Sequence, residues 1–510
     1  MRGAGPGVLG GALCKRAWAG DPSFGSVKEF AMDEFDLVVR GGTVVTASEM
    51  ARADVGIRDG RIAALGTGLR GARELDAGGL LVMPGGVDSH CHIEQLRDGG
   101  GTDEETWESG SRAALAGGTT SVVSFSTQFK GQPIGPSLAE YRGLAARAMV
   151  DYALHQIITD PTDEVLAELP GIVAGGVRSF KVFLTYDPLR LDDRQFLRVL
   201  AAARRLGCLV TVHCENYDAI GWMTEALLAA GLVAPKYHAW SRPPVLEREA
   251  TGRAIALAEL VDVPIQVFHV SCPEAAEEIA RARARGLKVW AETCPQYFVL
   301  GASDMDRPGF EGAKFMCSPA PRDAGAVAGL WAAVRAGTLD VVSSDHSGWS
   351  YGGEQGKRIN GVDAPFRDIP NGVPGLAARL PLLWSEGVGR GHISACDFVR
   401  LVSTQPARVF GLAGKGSLMP GADADLVLWD PEKRVTITNA LMQQTIDYTP
   451  YEGMAVTGWP VATVLRGKVA MRDGVVEAAP GSGRYIPVGP YEMVRPRGIL
   501  ANGFDASLFA

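Results

Sequence analysis

Between residues 84 and 404 the chain alternates eight short apolar runs with Ala- and Leu-rich stretches, and this alternation limits what it can fold into. The runs are GVDSHCHI (86–93), TTSVVSFS (119–126), YALHQIIT (152–159), RSFKVFLT (178–185), CLVTVHCE (208–215), PIQVFHVS (264–271), KVWAETCP (288–295) and LDVVSSDH (339–346). Between them lie segments such as DRQFLRVLAAARRLG and LEREATGRAIALAELV, which read as amphipathic helices. Strand and helix in alternation predict a parallel sheet, because parallel neighbours need a crossover. Eight units in a row favour closure into an α/β fold of the (β/α)8 TIM-barrel type over an open doubly wound sheet.

The flanks have a different texture. FDLVVRGGTVVTA and DVGIRDGRIAALG near the start, and SLMPGADADLVLWD and ATVLRGKVAMRDGVV near the end, read as short strands. Asp59-Gly60 and Asp473-Gly474 are hairpin signals. Residues 32–83 and 405–480 are therefore expected to form one small discontinuous β-sandwich domain around the 84–404 barrel. Residues 1–31 read as a disordered extension. Residues 481–510 read as a C-terminal tail, either an oligomerisation arm or disordered. Gly66-Thr67-Gly68-Leu69-Arg70-Gly71 matches the dinucleotide-binding glycine pattern, but no helix is predicted to open there, so that reading is set aside.

A net charge of −8 argues against a nucleic-acid partner. No apolar run approaches the roughly 20 residues of a membrane span. The 8 cysteines (Cys14, Cys91, Cys208, Cys214, Cys272, Cys294, Cys317, Cys396) contain no Cys-x-x-Cys pair. They read as free thiols in a reducing, cytoplasmic setting.

Polar residues of metal-binding type gather at the C-terminal ends of the predicted strands. The first ends in His90-Cys91-His92; the fourth holds Lys181, the fifth His213, the sixth His269 and the eighth Asp345. In a TIM barrel the active site occupies that face. Residues i and i+2 of a strand share a side, so His90 and His92 are expected to face the barrel and Cys91 the helices. A lone histidine on an apolar strand is usually a satisfied core residue; four at matching strand ends point to a shared cluster. Lys181 does not fit as a bare ammonium beside cations. Either it pairs with a carboxylate such as Asp345, or a carbamate on its nitrogen removes the charge and supplies oxygen ligands.

These residues sit in a series of motifs: GGVDSHCHIE, TDEETWESGSRAALAGGTTSVVSF, RSFKVFLTY, VHCEN, LEREATGRAIALAEL, FHVS, CSPAPR, SSDH, NGVPG, STQPARVFGL and GSLMPGADADLVLWD. In order and spacing, over roughly residues 33–480, the chain resembles the dihydropyrimidinase–hydantoinase group of the amidohydrolase superfamily. The resemblance implies two divalent metal ions, zinc in most relatives, with Mn2+ or Co2+ as alternatives. His90, His92 and Asp345 would bind the more buried ion, and His213 and His269 the more exposed one. Lys181, carboxylated by CO2 or bicarbonate, would bridge both. Tyr186 matches the family tyrosine that hydrogen-bonds the substrate carbonyl. Ser318 and Asn371 match positions whose backbone groups hold the ring amide, although Ser-Pro and Asn-Gly are also ordinary turn formers.

The implied activity is hydrolysis of a cyclic amide (C–N) bond in a neutral cyclic ureide, a dihydropyrimidine or 5-substituted hydantoin, by a metal-bridging hydroxide. Asp345 would move the proton. The alternatives are a cyclic imide hydrolase, an allantoinase or a dihydroorotase. A non-catalytic scaffold of the family is disfavoured because all six ligand positions are filled. A homo-oligomer, dimer or tetramer, is expected. Two loops depart from the group: Ser347-Gly348-Trp349 replaces the Cys-Pro-Phe of many relatives, and a Gly-rich stretch follows Glu94-Gln95-Leu96-Arg97. Glu94 stands where dihydroorotases carry a carboxylate-gripping arginine. It is expected to repel an anionic substrate, with Arg97 the one residue nearby that could compensate.

Overall fold

The structure is a computed structural model that describes residues 35–353 and 355–500. The extension read over 1–31 lies outside the described residues. Eight parallel strands form one sheet in strict chain order, from Gly86–Asp88 and Thr119–Thr127 through Asp151–Ile157, Ser179–Phe183, Leu209–His213, Ile265–Val267 and Val289–Thr293 to Val341–Val342. Each falls within one of the eight apolar runs or overlaps it to within a residue.

The helices between them follow local rules. Asp193–Leu206 opens with an Asp192–Gln195 capping box and closes at Gly207, whose φ of 63° suits a residue without a Cβ. It buries Phe196, Val199, Leu200 and Ala203 against the sheet and keeps Arg204 and Arg205 in its last turn.

The barrel closes beyond its first and last strands. The strand expected over 86–93 ends as a regular element at Asp88, and an extended stretch continues it. There Asp345 N donates to the His90 carbonyl at 2.9 Å and His92 N to the His346 carbonyl at 2.7 Å. Cys91 pairs with His346 in a parallel bridge. The buried Asp88 carboxylate accepts from His90 N at 3.3 Å and Ser344 N at 3.1 Å, so one side chain holds both ends of the closure. The interior is filled by Val87, Val123, Phe125, Ile157, Leu209 and Phe268.

Strands from the two flanks share a sheet. Leu426–Thr436 pairs antiparallel with Leu81–Pro84, with Leu426 opposite Pro84, and the sheet has seven strands. A four-stranded sheet built from residues 37–76 packs over it, with Val39, Val55, Ile57, Val82, Leu426 and Val464 between them. Asp59 and Gly60 have φ of 52° and 73°, and Asp473 and Gly474 have 48° and 81°, the left-handed pair that a two-residue hairpin requires. After Gly66 the chain enters the strand Glu74–Asp76, and no helix begins at the glycine pattern.

A buried charge cluster joins this region to the barrel. Lys415 Nζ lies 2.5 Å from Asp151, at the start of the third barrel strand, 2.7 Å from Asp425 and 3.0 Å from Asp423. Residues 481–500 run against the barrel of their own chain. Ile486 N donates to the Tyr152 carbonyl at 2.7 Å and Val488 N to the Gly176 carbonyl at 3.0 Å. Among the described residues no helix is long and apolar enough to cross a membrane.

Candidate metal centre and substrate cavity

The expected ligands converge at the C-terminal mouth of the barrel. Ligand atoms of His90, His269 and Asp345 lie within 4.8 Å of one another. His90 Nε2 is 3.0 Å and His92 Nε2 is 3.5 Å from Asp345 Oδ1. The His213 ring is 4.4 Å from that of His269, centroid to centroid. His90 and His92 share a side, their rings 5.4 Å apart, while Cys91 Sγ turns away to the Val123 carbonyl. The alternation read from the sequence therefore holds past the end of the regular strand.

The backbone at this rim is unusual. His269 and Asp345 have φ of 40° and 48°, and Tyr186 has 72°. Left-handed backbone is uncommon for residues with a Cβ and concentrates at functional sites.

Lys181 sits at the centre of the cluster. It is fully buried, its Nζ has no hydrogen-bond partner, and it does not pair with Asp345. Aromatic faces surround it: Phe268 at 4.2 Å, Phe183 at 4.8 Å and Phe125 at 5.9 Å. Burial draws its pKa down to about 7 against the pull of Asp345 and Glu292. Burial, reinforced by neighbouring cations, also holds His213 and His269 well below the usual imidazole range. Neutral imidazoles are the form that binds a metal. At His90 burial works in the same direction, but Asp345 and Glu292 outweigh it and the pKa rises. Orphaned Lys181 Nζ, orphaned His269 Nδ1 and two neutral imidazoles around a carboxylate make a donor set that fits divalent metal. The acidic group Asp151, Asp423 and Asp425 does not, because Lys415 already occupies its centre.

Several supporting residues escaped the sequence reading. Glu292, on the seventh strand, accepts from His90 Nδ1 at 2.6 Å. Gln95 Oε1 faces His92 Nδ1 at 2.8 Å. Glu215 Oε2 lies 2.8 Å from His213 Nε2, which leaves Nδ1 for a ligand, and Arg242 pairs with the same oxygen at 3.0 Å. Partners of this kind fix the tautomer and orientation of a ligating histidine. The one signal available was a carboxylate inside an apolar strand (Glu292 in AETCP) or two residues past a histidine (Glu215 in HCE).

Beside the cluster opens a cavity of about 390 Å3, lined by Tyr186, Tyr217, His238, Arg242, Phe366 and Asn371 among others. The Tyr186 ring is 5.2 Å from the His213 ring, and Ser318 lies beside its hydroxyl. Burial raises the Tyr186 pKa, so the phenol stays a donor. Ser318 Oγ is 3.3 Å from His238 Nε2, and Asn371 Oδ1 is buried without a partner. Tyr186, His238 and Asn371 thus line one cavity, and Ser318 reaches it through His238.

Glu94 requires a correction. It does not face the site: its carboxylate accepts from Trp107 N at 2.8 Å and pairs with Arg147. Its φ of 47° turns the chain at this point, away from the i, i+2 alternation of the preceding residues. Arg97 is likewise engaged, 3.0 Å from Asp103 and stacked 4.5 Å over Trp349.

A closed parallel barrel with this cluster at its C-terminal mouth defines a metal-dependent hydrolase of the amidohydrolase class, and the model of the amidohydrolase family matches residues 317–470. Relatives narrow the class. The chain is 43% identical to the D-hydantoinase of Rhizobium radiobacter over 454 residues, 88% of this chain and 98% of that protein. It is also 43% identical to the D-hydantoinase of Geobacillus stearothermophilus over 460 residues, 89% and 97% of the two chains. The solved dihydropyrimidinase from Brevibacillus agri NCHU1002 superposes with a TM-score of 0.86 at 40% identity, covering 89% of this chain and 99% of that one. The chain belongs to the hydantoinase family of the amidohydrolase superfamily.

Proposed function

We propose that the chain hydrolyses the cyclic amide bond of a neutral ureide, a dihydropyrimidine or a 5-substituted hydantoin, with two divalent ions, zinc first, held by His90, His92, His213, His269, Asp345 and carboxylated Lys181. The observation that carries this reading is Lys181, a buried lysine without a hydrogen-bond partner among four histidines and an aspartate. A lysine nitrogen made neutral by burial is a nucleophile for CO2. Their reaction joins nitrogen to carbon, releases one proton and leaves an anionic carbamate in place of the neutral amine.

When bound, the metal ions would polarise the amide carbonyl and lower the pKa of water. Asp345 is the group placed to hold the proton of the attacking water and to deliver it to the leaving ring nitrogen. Tyr186 donates its hydroxyl to the oxygen that gains charge. Backbone groups at Ser318 and Asn371 hold the ring amide in the cavity.

The charges around the cavity favour a neutral ring. Arg242 is paired with Glu215 and Arg97 with Asp103, so each is already engaged by a carboxylate of the chain itself. The reading extends to a cytoplasmic homo-oligomer, dimer or tetramer; the seven described cysteines are buried thiols outside any disulfide, which suits a reducing compartment.

The test is kcat/KM for dihydrouracil, a 5-substituted hydantoin, succinimide and dihydroorotate under one set of conditions, with metal counted in the same preparation. Dihydrouracil or the hydantoin should lead, with about two ions per chain. Preference for dihydroorotate, or full activity without metal, would overturn it.

A further inference from the structure

Lys357 lies outside the barrel strands and is not among the expected metal ligands, yet it has no exposed surface. Its Nζ donates to the Pro370 carbonyl at 2.9 Å and to the Met316 carbonyl at 3.3 Å. Both acceptors are neutral. Burial lowers its pKa to about 7, which measures how unfavourable the charge is at this place. A lysine nitrogen in such a setting contributes what an apolar side chain of the same length cannot, more than one donor directed at once.

The two acceptors are informative. Met316 stands two residues before Ser318, and Pro370 immediately precedes Asn371. The Met316 carbonyl also accepts from Gly372 N at 3.0 Å, so the two segments meet at that oxygen. Farther along, His238 Nε2 anchors the Cys317 carbonyl at 2.9 Å. Lys357 is itself held by its own N–H, which donates to the Ser350 carbonyl at 2.8 Å. Gly356 permits that approach, since a Cβ there would stand 2.1 Å from the same oxygen.

We infer that Lys357 is a positioning residue for substrate binding: its Nζ clamps the 316–318 segment to the 370–372 segment and so sets the spacing of the Ser318 and Asn371 backbone groups. This rests on the reading that those groups hold the ring amide. The clamp touches neither the metal ligands nor Tyr186, so its loss acts on ground-state and transition-state binding alike. A change of that kind raises KM and leaves kcat.

The experiment uses the full-length, metal-loaded enzyme and the variants Lys357→Met and Lys357→Gln. Two quantities are read: KM and kcat with dihydrouracil, and amide hydrogen exchange in peptides covering 312–318 and 366–375. In Lys357→Met, exchange in both peptides should rise while the strand at 179–183 stays protected. KM should rise about tenfold or more, the factor expected when buried carbonyls lose their donor. The kcat and the metal content should stay within about twofold. Lys357→Gln keeps two donors on a shorter stem and should fall between; if Lys357→Met does not fold, Lys357→Gln carries the test. Unchanged exchange in both peptides of a folded variant overturns the clamp. Faster exchange with unchanged KM leaves the clamp in place and overturns the assignment of the ring amide to Ser318 and Asn371. A fall in kcat with KM unchanged overturns the positioning role.

Discussion

Glu292 Oε1 lies 2.6 Å from His90 Nδ1, and both side chains are buried. The contact fixes which ring nitrogen carries the proton and turns Nε2 toward Asp345. Glu292→Gln keeps the shape and removes the charge. Metal affinity should fall by about 10–100-fold. Metal retention during dialysis against a graded chelator series measures this, and retention equal to wild type would remove Glu292 from the site.

Lys181 tests the bridging role. Lys181→Ala should lose metal and turnover together, and a short carboxylic acid in the buffer should restore part of both. Lys181→Arg should stay inactive with or without the acid, because a guanidinium remains charged and forms no carbamate. Mass spectrometry under native conditions should find the carboxyl group on the wild-type lysine. Full activity of Lys181→Ala in plain buffer would contradict the assignment.

Tyr186 has a different signature. Tyr186→Phe should keep its metal and its melting temperature and lose about 10²–10³ in kcat, the usual cost of one oxyanion donor. Steady-state kinetics beside a metal count separate this from loss of the centre. An unchanged kcat would take Tyr186 out of the mechanism.

The seam between barrel and β sheets predicts a stability effect with no catalytic part. Lys415, Asp151 and Asp425 are each almost wholly buried. Lys415→Met would leave the carboxylates without their central cation, and removing one partner of a buried pair costs about 3–5 kcal/mol. Denaturant unfolding should show the loss, while kcat per folded molecule stays the same. A variant as stable as wild type would mean that Arg466, which also pairs with Asp151, suffices alone.

All eight barrel strands were legible because each is a short apolar run bounded by helical texture, a pattern local to about ten residues. The metal-type residues were legible for the same reason: His90 and His92 stand two apart, and Lys181, His213, His269 and Asp345 each lie at or near a strand end. The orientation of Glu94 was not legible. The period of two that correctly directs His90 and His92 fails two residues later, where φ turns positive and the carboxylate goes to Trp107 and Arg147.

The succession of elements, the two glycine-bearing hairpins, and which residue types stand at the mouth of the barrel are local properties, since they follow from side-chain period and backbone preference over a few residues. Tertiary structure alone decided what each of those residues touches. Glu292 meets His90 from 202 positions away, and the rings around Lys181 come from the second strand, from its own strand and from just past the sixth. Contacts of that range depend on how a closed barrel brings its strands into register. That register sets burial, and burial is what draws the Lys181 pKa down to about 7.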